Sequence, residues 1–218
     1  MPLQNRVLPD GTLVAIPSRG TMMGNRGGRH HDPQTKCLLK PYPHSKRWIC
    51  CRLSFKDRQR SVWGDSYTEL YFLDEVTALA AGHRPCFECR RARALEYAEL
   101  FTRQTPHTAN WGPPRASAYE MDRALSSQRQ QTHPLRSQMD ALPEGAVLTF
   151  QQDNEKIFAA KGPYGWLRWT TDCYKPLAMA LPSTVELVTP PITLAILGSG
   201  YKPEWHQTAL GRSTHHKY

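Results

Sequence analysis

Cys86 and Cys89 stand two residues apart in the run AGHRPCFECRR, residues 81–91, behind a glycine and a proline and among arginines. Two intervening residues let a tight turn present both thiolates to one tetrahedral ion, the spacing of a zinc knuckle. A thioredoxin-like redox pair shares this spacing but lies directly after a strand, inside a βαβ unit. Here Gly82 closes a helical stretch just before the cysteines and no parallel-sheet pattern surrounds them, so zinc is the expected cofactor. The knuckle is half a site. Five of the six cysteines (Cys37, Cys50, Cys51, Cys86 and Cys89) cluster in the first half, with Cys173 apart. That clustering in a 218-residue chain favours reduced thiols or a metal site over disulfides. Neighbouring side chains on a strand point apart, so one of Cys50 and Cys51 is expected to reach the ion.

The elements that must position these sulfurs are short. KRWICCRLSF reads as a strand with the adjacent cysteines near its end. Asp74 is a natural N-cap for a helix carrying Val76, Leu79 and Ala80, and Gly82 is its C′ residue. A second helix is expected at Arg91 to Arg103, with Ala94, Leu95, Ala98 and Phe101 inward. SAYE at Ser117–Glu120 is a capping box. The run SSQRQQTHPLRSQ is polar and reads as lightly packed. Ala146–Phe150, Lys156–Ala160, Tyr164–Thr170 and Val185–Val188 read as strands, and Pro190 can open a short helix ending at Gly198 or Gly200.

CRLSF at Cys51–Phe55, the aromatic approach Tyr71-Phe72, DEVTALAAGHRPC at Asp74–Cys86 and CRR at Cys89–Arg91 resemble the N-terminal zinc-binding module of the bacterial Ada methylation-repair proteins. In that family a Cys-Arg-x-x-Cys element, an alanine-rich helix and Gly-x-Arg-Pro-Cys-x-x-Cys-Arg bring four thiolates to zinc. The resemblance covers residues 51–91 and leaves out the family's other domains. It implies Cys51, Cys86 and Cys89 as ligands and puts Phe55 where the second thiolate belongs. The fourth ligand must then be His30, His31, Cys37, His44 or Cys50. His31 is favoured, because the glycine-rich chain before it can fold back closely and Asp32 can orient an imidazole. The family's first cysteine accepts a methyl group from a DNA phosphate; the resemblance gives that role to Cys51, with Arg52 to attract phosphate. Three thiolates and one imidazole carry less negative charge than four thiolates, so the changed ligand set counts against alkyl transfer more than against metal binding.

Charge points to a polyanion. The chain carries a net +9, and between Thr21 and Arg60 ten Lys or Arg face Asp32 and Asp57, a net of +8. Such a region attracts DNA or RNA by counterion release. SRGTMMGNRGGRHHD, from Ser18, reads as a loop whose glycines allow close approach to a ligand. Arg26 and Arg29 within it, with Arg52, Arg84, Arg90 and Arg91, are the candidate phosphate contacts. His30, His31 and Asp32 are candidate catalytic residues of a phosphodiesterase, histidine serving as base. A zinc deaminase requires a His-x-Glu motif before the cysteine pair, and GHRPC has none.

These readings combine into an α+β protein: an irregular zinc-containing helical half packed with a small antiparallel β half. Residues 1–103 form the zinc-binding region with its basic loop, 104–140 a helical connector, and 141–218 a small β-rich region. No 18-residue apolar stretch occurs, which gives no expectation of a membrane span and a cytoplasmic one of location. The leading function is zinc-containing nucleic-acid binding linked to DNA repair or processing, with DNA favoured over RNA. The alternatives are a zinc-supported nuclease or alkyl-damage repair enzyme, and a structural-zinc protein-interaction module.

Overall fold

The computed structural model describes residues 1–39, 45–59, 61–105 and 115–211. Six strands fall in the first part of the chain: β1 (Arg6–Val7), β2 (Leu13–Val14), β3 (Met22–Asn25), β4 (Ile49–Arg52), β5 (Leu70–Phe72) and β6 (Arg84–Pro85). They make one sheet in the order β2-β1-β5-β3-β4-β6. Six more make a second sheet: β7 (His133–Leu135), β8 (Val147–Gln152), β9 (Glu155–Gly162), β10 (Gly165–Trp169), β11 (Tyr174–Pro176) and β12 (Val185–Leu187). Its order is β11-β10-β9-β8-β12-β7, and every pairing is antiparallel. The four α-helices among the described residues are α1 (Glu75–Ala80), α2 (Arg91–Gln104), α3 (Ala118–Ser126) and α4 (Pro191–Gly198).

The expected helical first half is therefore wrong: the cysteine-bearing part is built on a sheet of six short strands, as many as the second sheet has. Among the strands that sequence patterning conceals, β3 is the one that joins β4 to β5. MMGN shows no apolar alternation, yet it lies between β5 and β4 and pairs with both. Gly24 permits this. A Cβ there would stand 2.1 Å from the Ile49 carbonyl oxygen and 2.8 Å from the Phe72 ring, so the bare backbone is what lets the strands close. The polar run after α3 likewise holds an edge strand, β7, and the buried Arg129.

All six residues of α1 are buried. Ala78 packs with Met22, Cys50, Leu70 and Phe72 of the first sheet, while Val76 and Ala80 pack with Val147, Phe158, Ala160 and Trp169 of the second. A helix between two sheets has no solvent face, so its polar groups must be satisfied internally. The Asp74 cap accepts from the Thr77 backbone N–H at 2.9 Å and from the His206 N–H at 2.9 Å, and the Tyr174 hydroxyl donates to it at 3.1 Å. Trp169 Nε1 donates to Thr77 Oγ1 at 3.0 Å. A third cluster joins Tyr97 and Phe101 of α2, Met121 of α3 and Ile196 and Leu197 of α4. No helix of the described residues is long and apolar enough to cross a membrane.

Burial pushes the Asp74 carboxyl up to about 6 from its ordinary 3.8, against the donors that favour its charged form. Folding thus favours the neutral acid. The resulting stabilisation, on the order of 3 kcal/mol, is complete below the unfolded value of 3.8 and is lost as pH rises through about 6. A carboxyl-carbon NMR titration is expected to show Asp74 with a midpoint near 6; a midpoint near 4 would contradict the burial argument.

Candidate metal centre and its cavity

Opposed residues in neighbouring strands share a face. Met23 pairs with Cys51 on one side and Tyr71 on the other, and Asn25 pairs with Ile49. Met22, Cys50, Leu70 and Phe72 point to α1; Met23, Asn25, Ile49, Cys51 and Tyr71 point away from it. Alternation thus decides between the adjacent cysteines. Cys50 is fully buried, 3.7 Å from Arg90 Nη1, with its thiol pushed up by burial. Cys51 faces outward.

The knuckle is hung from the same strand. β6 runs parallel to β4, and the Cys86 N–H donates to the Cys50 carbonyl at 3.0 Å. The chain then turns, with the Arg90 N–H donating to the Cys86 carbonyl at 3.0 Å, and enters α2 at Arg91. The Cys51, Cys86 and Cys89 sulfurs all lie within 4.8 Å of one another, close enough to hold one metal ion. Cys86 is buried and the other two are partly buried. The Glu88 N–H points at Cys86 Sγ at 3.4 Å, a donor that favours thiolate. Hydrogen bonds from Cys51 and Cys89 pull the Cys86 thiol down, and the bonds of Cys51 to both push its own thiol up. A bound cation takes the sulfurs as thiolates and releases their protons.

These sulfurs open on a cavity of about 380 Å³. Its floor is the outward face of the sheet: Met23, Asn25, Ile49, Cys51, Glu69 and Tyr71. Phe55, at the position where the resemblance calls for a thiolate, lines it with Tyr67, and Arg47, Arg52 and Arg58 contribute exposed cationic side chains. Arg58 is paired with Glu88. No protein-family model, curated protein or solved structure matches the chain. Function must be argued from this geometry.

His31 does not join the sulfurs. Its Nε2 lies 2.7 Å from the Gly64 carbonyl and its Nδ1 2.8 Å from Thr68 Oγ1, while its ring stacks on Trp63 at 5.2 Å. A carbonyl only accepts, so Nε2 carries the proton and Nδ1 accepts from the threonine, leaving no lone pair for a metal. His30 is buried, its N–H donating to Thr68 Oγ1 at 2.7 Å. Asp32 accepts from the Gln34 and Thr35 N–H groups, which lower its pKa, and so closes its own turn. None of the three lines the cavity. The expected catalytic trio is the framework of a loop. Cys37 is exposed and lies in a different hollow, and His44 lies outside the described residues.

The arginines separate into two groups. Arg84 forms a bidentate pair with Asp122 of α3 at 2.8 and 2.9 Å. Arg90 makes the same fork to Glu75 at 2.7 and 2.8 Å and also reaches Glu204 at 2.7 Å. Arg26 is buried with its guanidinium 3.7 Å from the centre of the Trp48 ring. These three, expected on phosphate, instead join internal elements, because each is buried against a carboxylate or an aromatic face. Arg29, Arg52 and Arg91 remain exposed, and Arg52 alone of the six lines the cavity. Sequence reading missed Arg47, Arg58, Glu69, Tyr67 and Tyr71. The odd-numbered alternation through Ile49, Cys51, Glu69 and Tyr71 was the available signal, but it needed β3 to connect them.

Proposed function

We propose that the protein is a zinc protein that binds nucleic acid, taking one nucleotide into the cavity beside the metal. Cys51, Cys86 and Cys89 are the proposed ligands. Three thiolates suit zinc, a borderline-soft ion with no redox demand. The observation carrying the reading is the placement of the three sulfurs in the wall of a cavity that also holds Arg47, Arg52 and Arg58. Arginine forks match phosphate oxygens, and Phe55, Tyr67 and Tyr71 offer faces on which a base can stack. Lys46 and Lys56 add exposed charge beside them. The volume is in the range of small-ligand pockets and admits a nucleotide rather than a duplex.

The zinc-loaded protein should bind a fluorescent single-stranded oligonucleotide with an affinity that falls steeply with salt. Arg52→Ala should weaken binding and flatten the log–log slope by about 0.7 to 1. Binding indifferent to salt, or absent, would overturn the reading.

A second reading, a zinc-supported hydrolase, is favoured by the ligand count. Among the described residues three side chains gather, one short of a closed tetrahedron. When bound with a position open, zinc supplies Lewis-acid polarisation and an activated water. Arg52 and Arg47 would hold phosphate. His30, His31 and Asp32, fixed in the loop, serve that chemistry only by supporting the cavity wall. Multiple turnover of an oligonucleotide by the zinc-loaded protein would distinguish this reading from binding alone.

A further inference from the structure

Two acidic side chains line the cavity: Glu88, paired with Arg58, and Glu69 in the floor, only 4% exposed. Its Oε2 accepts from the Trp63 N–H at 2.9 Å, and its carbonyl accepts from Trp63 Nε1 at 3.0 Å. Trp63 is wholly buried and stacked on His31, whose two ring nitrogens are themselves tied. One oxygen of the carboxylate is thus tied to Trp63, whose ring in turn rests on the loop that carries the histidine pair. Its second oxygen, Oε1, is buried with no hydrogen-bond partner. A buried carboxylate oxygen left unpaired is costly, and a site that retains one has a use for an acceptor. Its charge reaches the cavity: burial, then the Glu69 carboxylate, raise the Tyr71 hydroxyl.

The sheet fixes how far the Glu69 backbone lies from that of Cys51. β5 and β4 flank β3, and Tyr71 and Cys51 both oppose Met23. Glu69 lies two residues back from Tyr71, which places its backbone roughly 12 Å from that of Cys51, by strand spacing and rise per residue. Arg52 stands at the sulfur end and Glu69 at the other. A nucleotide with its phosphate toward Arg52 therefore brings its base to Glu69.

We infer that Glu69 reads the base, accepting a hydrogen bond from an exocyclic amino group. The inference rests on the nucleotide-binding reading above and adds its selectivity. Cytosine, with an amino donor at C4, satisfies Oε1 once the carboxylate turns that oxygen toward the cavity. Uracil, nearly the same shape, presents a carbonyl oxygen there and meets the carboxylate with like polarity. Sites built around a buried polar group reject ligands that leave it unpaired.

The test compares CMP and UMP binding to the zinc-loaded protein by calorimetry. CMP should bind about ten-fold or more tighter than UMP, the discrimination of one buried hydrogen bond. Glu69→Gln keeps the shape, and its amide can accept from Trp63 only by turning its NH₂ to where Oε1 stood. That variant, with zinc content unchanged, should lose the preference or reverse it toward UMP. Equal binding of CMP and UMP by the parent protein overturns the base-reading role while leaving nucleotide binding intact. Failure of both nucleotides to bind overturns the cavity reading as well. The parent comparison decides the matter even where Glu69→Gln folds poorly.

Discussion

Cys86→Ala is expected to abolish metal binding: about one zinc ion per chain in the parent protein and none in the variant after dialysis. Cys86 is the most buried residue of the three and is bonded through its backbone to both β4 and Arg90, the N-cap of α2. Two partly buried thiolates remain in the variant, and losing one of three charged ligands lowers affinity by at least a thousand-fold, an order-of-magnitude figure given total binding energies of ~10–16 kcal/mol for structural zinc. The contrast with other cysteines makes the result specific. Cys50→Ala, on the opposite face of the same strand, and Cys37→Ala, in a separate hollow, should keep the ion. So should His31→Ala, which instead loosens the loop holding Trp63. Zinc content by mass spectrometry of the intact folded protein, read beside circular dichroism, separates ligand loss from unfolding.

The second large effect is on stability. Glu75 is completely buried in α1 and accepts both forks of Arg90, the Tyr201 hydroxyl at 2.6 Å and the Glu204 backbone N–H at 2.8 Å. Its replacement by alanine leaves a buried guanidinium without its principal partner and frees two further donors. Glu75→Ala should therefore lower unfolding free energy by about 3–5 kcal/mol, measured by urea denaturation of the zinc-free protein. Arg90 follows Cys89 directly, so the same substitution should also weaken zinc binding by releasing the knuckle from the core. Glu204→Ala removes a partner that is half exposed and should cost far less, about 1 kcal/mol or below. Similar losses from both variants would contradict the central place given to Glu75.

Local chemistry was legible in the sequence wherever one residue decides the outcome. The Asp74 cap, the Gly82 stop, the Ser117 capping box and the long strands of the second sheet all follow from short-range rules and occur in the structure. The Cys86–Cys89 pair followed from spacing, and alternation implied that only one of the adjacent cysteines faces it; that this is Cys51 came from the family resemblance. The rest depended on partners far away in sequence. β3 is a strand because β4 and β5 flank it, not because of MMGN, and without it the first sheet and the cavity floor are invisible. Arg84 and Arg90 sit in a basic run yet are internal, since their carboxylate partners Asp122, Glu75 and Glu204 lie on α3, on α1 and after α4. His31 attracted attention as a ligand by residue type; the Gly64 carbonyl and Thr68, over thirty positions on, occupy its ring.

Cys51, Cys86 and Cys89 are proposed to hold one zinc ion in the wall of the arginine-rimmed cavity. X-ray absorption at the zinc edge of the purified protein tests it most directly. Three sulfur neighbours at about 2.3 Å and one lighter atom are expected. A protein that binds no zinc, or a zinc ion with two sulfurs or fewer, would contradict it.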